Sequence, residues 1–241
     1  MRNFPIFGKA YASTPLLSNK LKGKVFYIVS GHGGPDPGAI GTRGNRRLCE
    51  DEYAYDVSLR LCRNLLSHGA TAYMITQDPN DGIRAGDFLD CDNDELNYDG
   101  SKMVLNQKAR LTQRVEIINA LFEENKKKGV TEQLFLEIHV DSRSKSQQID
   151  LFFYHHSSSK VGKQVANQLQ NVIKSKYAKH RQSGEYHGTV SARDLFMIRE
   201  CKPPTVYIEL GNILHYQDQQ RIILENNRQA LANWLLEGLM Q

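Results

Sequence analysis

The chain has 241 residues, of which 40% are hydrophobic and 24% charged, and its net charge is +4. A chain of this size buries roughly 70–75% of the surface its unfolded form exposes, so it holds a core without staples. No run approaches 18 consecutive apolar residues, which excludes a hydrophobic helical membrane span, and the small positive charge argues against nucleic acid as a partner.

Residues 1–22 read as an extended arm. No apolar run of 7–15 residues follows Arg2 and Lys9, so no secretory signal is expected. The chain then reads as cytoplasmic, or as an exported protein whose signal was removed. Lys24–Ser30 (KVFYIVS) is a β-branched and aromatic run that stops at Gly31, the pattern of a buried strand. Residues 51–68 have helical periodicity. Tyr55, Val57, Leu59, Leu61, Cys62, Leu65 and Leu66 form one apolar sector, with Asp56, Arg60, Arg63, Asn64 and Ser67 opposite it as the polar side. Ala70–Thr76 is the next strand.

Residues 78–105 are rich in Asp, Asn and Gly and read as a long surface insertion, expected to form a mobile flap at the rim of a cleft. Helical spacing returns at Leu111, Val115, Ile118, Leu121 and Phe122 and ends at Lys126–Lys128, which suits a helix C-terminus. Leu134–His139 and Ile149–Tyr154 are strands, and Val165, Leu169, Val172 and Ile173 mark a third helix. Leu195–Arg199 and Thr205–Leu210 are expected as strands, and Ile222 to Leu239 as a final amphipathic helix. Strands alternating with helices imply a single α/β domain, its sheet covered by helices on both faces. The four cysteines (Cys49, Cys62, Cys91, Cys201) form no CxxC pair, and read as buried thiols or one incidental bridge.

The densest chemical signal is Ser30–Gly44, SGHGGPDPGAIGTRG, in which six glycines surround one histidine directly after a strand. A phosphate loop needs Gly-Lys-Ser/Thr, and an esterase oxyanion loop needs a GxSxG elbow. The chain has neither. A metal-binding histidine on a rigid loop remains. His139 closes a strand and precedes Asp141, Glu50 stands before the first long helix, and Glu209 lies near the end of TVYIELGN. Two histidines and a carboxylate give zinc three ligands and an open fourth position, and a second carboxylate shuttles protons.

These segments, together with Leu111-x-x-Arg114 and Asn119, resemble in order the zinc-dependent N-acetylmuramoyl-L-alanine amidases, over about Val25 to Leu236. The resemblance implies one α/β domain with a twisted, mixed sheet of about six strands. It implies hydrolysis of the amide between N-acetylmuramic acid and the L-alanine of the stem peptide in bacterial peptidoglycan. By it, His32, Glu50 and His139 are the zinc ligands and Glu209 is the catalytic glutamate. It also implies a periplasmic or cell-envelope monomer acting on peptidoglycan or muropeptides, with room for an activator protein. Two positions depart from the family: Val29-Ser30 replaces Asp-Pro before Gly-His, and Glu137 replaces the Ser before Ile-His. A zinc carboxypeptidase and a non-catalytic peptidoglycan-binding module are the rival readings.

Glu52 competes with Glu50. Counting from Glu50 places Tyr55, Val57, Leu61 and Leu65 on the apolar positions and Gly69 at the helix end. Counting from Glu52 instead turns Arg63 and Ser67 inward. Glu50 is therefore the expected ligand. His155 and His156 are expected as a solvated pair, His187 as a loop residue off the site, and Tyr53 and Tyr55 as core. Cys49 is a soft donor without precedent in the family.

Overall fold

The computed structural model describes residues 2–180 and 184–241. The N-terminal segment is folded rather than an extended arm. Strands β1 (Arg2–Asn3) and β2 (Ser13–Thr14) pair antiparallel around a short 3-10 turn that buries Phe7. Next come β3 (Val25–Ser30), the hairpin β4 (Ile40–Arg43) and β5 (Arg46–Cys49), and helix α1 (Glu50–Ser67). After α1 follow β6 (Thr71–Met74), the small pair β7 (Thr76–Gln77) and β8 (Leu96–Asn97), and α2 (Gln107–Lys127). The remainder is β9 (Gln133–Asp141), β10 (Phe152–His155), α3 (Lys160–His180), β11 (Thr189–Ala192), α4 (Phe196–Glu200), β12 (Thr205–Asn212), α5 (Tyr216–Ile223) and α6 (Glu225–Leu239).

The main sheet has six strands in the order β11-β10-β12-β9-β3-β6. It is mixed, because β10 runs antiparallel to β12 while the other neighbours are parallel. Strand alternation divides the core in two. On one face Phe26, Ile28, Leu136, Ile138, Val206 and Ile208 meet α1, α3 and α6. On the other, Val25, Tyr27, Val29 and Phe135 meet α2 and α4. The second face continues along β9 and β12 as Glu137, His139, Tyr207 and Glu209, the register pairing Tyr207 with Glu137 and Glu209 with His139. The apolar half of that face is covered by α2. Its polar half, at the strand C-terminal ends, forms a cleft. In open α/β sheets this is where ligands bind.

The Leu195–Arg199 run is helical, not a strand. A short apolar run fits either state, and tertiary contacts decide it. Met197 and Ile198 turn into the α2 side of the core, while Asn119 donates to the Glu200 carbonyl (3.0 Å) and accepts from the Lys202 N–H (2.8 Å), fixing the helix end to α2. The final helix is two. Leu224 is extended, and the Ile222 and Ile223 carbonyls that end α5 accept from Arg228 Nη1 at 2.8 and 2.5 Å.

The polar side of α1 is also not the solvent side, since Asp56, Arg60 and Ser67 are buried. Asp56 Oδ2 accepts from Arg60 Nε (2.7 Å) and Arg228 Nε (2.6 Å), and Oδ1 accepts from the Arg84 N–H (2.8 Å). Arg84 belongs to the 78–105 segment, which is strapped over α1 rather than free of it. Ile83 and Leu89 are buried there, Cys91 is disulfide-bonded to Cys49, and the Ile83 N–H donates to the Phe7 carbonyl at 3.1 Å. Cys62 and Cys201 are buried free thiols.

Candidate active site

His32 leaves the end of β3 with φ of 65°, a left-handed conformation uncommon for a residue with a side chain and found disproportionately at functional sites. Its flanking glycines are required by space. A Cβ on Gly31 would lie 2.1 Å from the His139 ring, and one on Gly38 would lie 2.7 Å from both Glu50 Oε2 and His32 Cδ2. The loop thus brings backbone directly against the two histidines and the carboxylate. His32 is oriented by Asp36, whose Oδ2 lies 3.0 Å from Nδ1, and Asp36 is in turn held by Arg110. Arg114, buried under the loop, donates to the His32 carbonyl.

His32, Glu50 and His139 converge, each offering one donor atom within 4.8 Å of the others. Glu50 is the first residue of α1 and spans the pair. Its Oε1 is 2.8 Å from His139 Nδ1, its Oε2 is 3.3 Å from His32 Nε2, and it also accepts the Val140 and Ala39 N–H groups. Glu52 is turned away, bound to Arg84 (2.7 Å) and to the Asp92 N–H (2.9 Å). The His139 ring is clamped. Tyr207 stacks on it at 4.4 Å, and Glu137 Oε1 lies 3.4 Å from Nε2. Glu209 sits beside His139 in register, buried, and its Oε2 has no hydrogen-bond partner.

Burial disfavours a charged imidazole, yet at His32 the hydrogen bonds to Asp36 and Glu50 outweigh it and push the ring up to about 9. At His139, Glu137 and Glu50 likewise override burial, pushing it up to about 10. Burial would raise Glu50 too, but its contacts with both imidazoles hold it well below the usual carboxylate range. The carboxylates thus draw positive charge into the site, which protons supply when no metal does. Burial and the nearby Glu50 and Asp141 carboxylates push Glu209 up to about 8, against the pull of His139. Two imidazoles, one carboxylate and an orphaned buried glutamate oxygen fit a catalytic zinc centre.

The cleft over this group holds about 220 Å³ between the histidines and Leu195, Phe196 and Met197 at the start of α4. A larger hollow of about 390 Å³ between α3, α5 and α6 contains none of the converging groups. The other singled-out residues lie elsewhere. His155 is buried with Nδ1 against the His156 carbonyl, and His156 is half-buried. His187 is exposed, Tyr53 and Tyr55 are core, Asp141 pairs with Arg143, and Cys49 is bonded to Cys91.

The sequence profile of the N-acetylmuramoyl-L-alanine amidases matches residues 27–241. The chain belongs to this family. The amidase is 24% identical over 226 residues to the germination-specific N-acetylmuramoyl-L-alanine amidase of Bacillus subtilis, covering 92% of this chain and 80% of that one. It is also 24% identical over 224 residues to the probable cell wall amidase LytH of Staphylococcus aureus, where it spans 92% of itself but only 59% of the relative. Its fold matches the CwlD amidase from Clostridioides difficile, solved in complex with the GerS lipoprotein, with TM-score 0.63 and 16% identity over 90% of this chain and 96% of that one. It also matches AmiC2 of Nostoc punctiforme, with TM-score 0.59 and 20% identity over 92% and 96%. The amidase is a hydrolase of the bond between N-acetylmuramic acid and L-alanine in peptidoglycan.

Strand-end histidines and glutamates were visible in the sequence. Asp36 carried a signal too, four residues after His32 in the same motif. Tyr207 and the clamping role of Glu137 carried none, because they follow from pairing β9 with β12.

Proposed function

We propose that the amidase works with one zinc ion held by His32, Glu50 and His139, and that Glu209 moves the proton of the hydrolysis. The observation that carries this is the convergence of two imidazole nitrogens and one carboxylate oxygen beside the unpartnered Glu209 Oε2. When bound, zinc polarises the scissile carbonyl and acidifies water at the open position. Asp36 and Glu137 hold the two rings in orientation through their other nitrogens, as supports of metal ligands do. Glu209, its affinity for a proton raised by burial, accepts one from the attacking water and delivers it to the departing L-alanine amine. An amine leaves poorly without that proton.

The Cys49–Cys91 bridge supports a periplasmic or envelope location, since such bonds persist in oxidising compartments. A lipoprotein bound to a structural relative supports an activator protein as a partner here.

Metal analysis with digestion of purified peptidoglycan tests the reading. One zinc per chain and release of new L-alanine amino ends, abolished by chelation and restored by zinc, are expected. Full activity in verified metal-free protein overturns it. Release of C-terminal stem residues favours a carboxypeptidase instead, and binding without cleavage a non-catalytic module.

A further inference from the structure

Behind the histidine site lies a second set of acidic groups that the hydrolysis does not use. Asp51 and Glu52, in the first turn of α1, and Glu95, just before β8, each bring one carboxylate oxygen within 4.8 Å of the others, and all three are buried. Glu95 is shared with an adjoining triplet that includes buried Asp78 and exposed Asp92. Acidic residues alone would mean little, but here two of them are left with orphaned oxygens deep in the protein. Asp51 is 2% exposed. Its Oδ1 accepts the Glu52 N–H at 3.0 Å, and its Oδ2 has no partner. Asp78 is 5% exposed. Its Oδ1 accepts the Asn80 and Asp81 N–H groups, both at 2.8 Å, and its Oδ2 has no partner either. Among the described residues, the one ion pair these carboxylates make runs from Glu52 to Arg84, which also pairs with neighbouring Asp81.

Buried carboxylates with an oxygen left without a donor must be neutralised or must coordinate a cation. We propose that the carboxylates around Glu95 form a binding site for one hard divalent cation of the calcium class. The donors are all oxygens, with no imidazole or thiolate among them, which selects against zinc and the softer metals. They come from a helix turn and an irregular loop. That arrangement suits the flexible oxygen shell of Ca²⁺ better than the strict octahedron of Mg²⁺. Exposed Asp92 gives the cation its way in.

The position explains what the cation does. Glu95 Oε2 accepts the Gly34 N–H at 2.6 Å, two residues from His32, and Asp51 is the neighbour of Glu50. A cation at Glu95 therefore fastens the 78–95 segment to both the glycine loop and the start of α1. It is a structural ion that stiffens the frame of the histidine site.

The test is Ca²⁺ titration of the zinc-loaded full chain by calorimetry and thermal melting, with Mg²⁺ as the comparison ion. The expected result is one Ca²⁺ per chain and a rise in Tm of about 5–10 °C at a hundredfold excess over Kd. Glu95→Gln and Asp51→Asn should abolish both, while His139→Ala, which disturbs only the histidine site, should keep both. Should these two variants fail to fold, Asp78→Asn in the adjoining triplet should weaken the Ca²⁺ affinity at least tenfold. The proposal is overturned by no saturable Ca²⁺ response, or by affinity unchanged in Glu95→Gln or in Asp78→Asn. A response lost with His139→Ala, or a Tm that follows pH but not Ca²⁺, overturns it as well.

Discussion

At the scale of single residues, the geometry separates two glutamates two positions apart. Glu50 bridges the histidines and Glu52 binds Arg84, so Glu50→Gln should lose zinc and Glu52→Gln should retain it, read as metal content after dialysis. In the sequence the preference for Glu50 rests on helix spacing alone. What was not legible was the fate of Glu52, which depends on an arginine 32 positions away in sequence. Glu209→Gln preserves shape but removes the proton acceptor. Turnover should fall by roughly 10²–10⁴ while zinc stays bound. Loss of the metal in that variant would make Glu209 a ligand instead.

Among the elements, α1 shows where periodicity misleads. Its apolar sector is plain in the sequence, but the polar side opposite it is no solvent face, since Asp56 and Arg60 are fully buried. A helix's own pattern cannot reveal that another segment will cover its charges and pair with them. Here Arg228 of α6 and the backbone of Arg84 do so. Arg228→Met should therefore destabilise the fold by about 3–5 kcal/mol, measured by urea unfolding, because it removes one of the two guanidinium partners of buried Asp56 and takes the donor from the carbonyls of Ile222, Ile223 and Gly86. A loss under 1 kcal/mol would show that Arg60 alone suffices for Asp56. The short run that became α4 was beyond pattern reading for a different reason: five residues carry too little periodicity to separate helix from strand.

For the whole molecule, strand and helix order was readable because each long element carries its own repeat. Sheet order and the cleft followed only once non-adjacent strands were paired. The buried charges also set how stability responds to pH in the metal-free protein. Asp78 and Glu95 are raised, chiefly by burial, to about 6 and about 7, so above their unfolded values the unfolded chain ionises first and stability falls towards pH 7. His32 and His139 are raised as well. Their contribution is complete below about 6.5 and is lost as pH climbs through 9 and 10. Asp36, held low by its hydrogen bond to His32, acts only below about pH 4, losing its contribution as pH drops. These raised groups, with Glu209 raised to about 8 beside them, act in one direction, so metal-free protein should melt at a higher temperature at pH 5.5 than at pH 8.5. Equal melting temperatures would mean that these groups are hydrated or already neutralised by ions.

The bond between Cys49 and Cys91 has a consequence for survival among proteases. His32 and Glu50 precede the 78–90 stretch, whereas His139 and Glu209 follow it. A single backbone cut within that stretch divides these groups between two fragments, yet one fragment ends beyond Cys49 and the other begins before Cys91. The fragments stay covalently joined, migrating as one species until reduced. A nicked molecule therefore keeps both halves of its reactive centre on one covalent body.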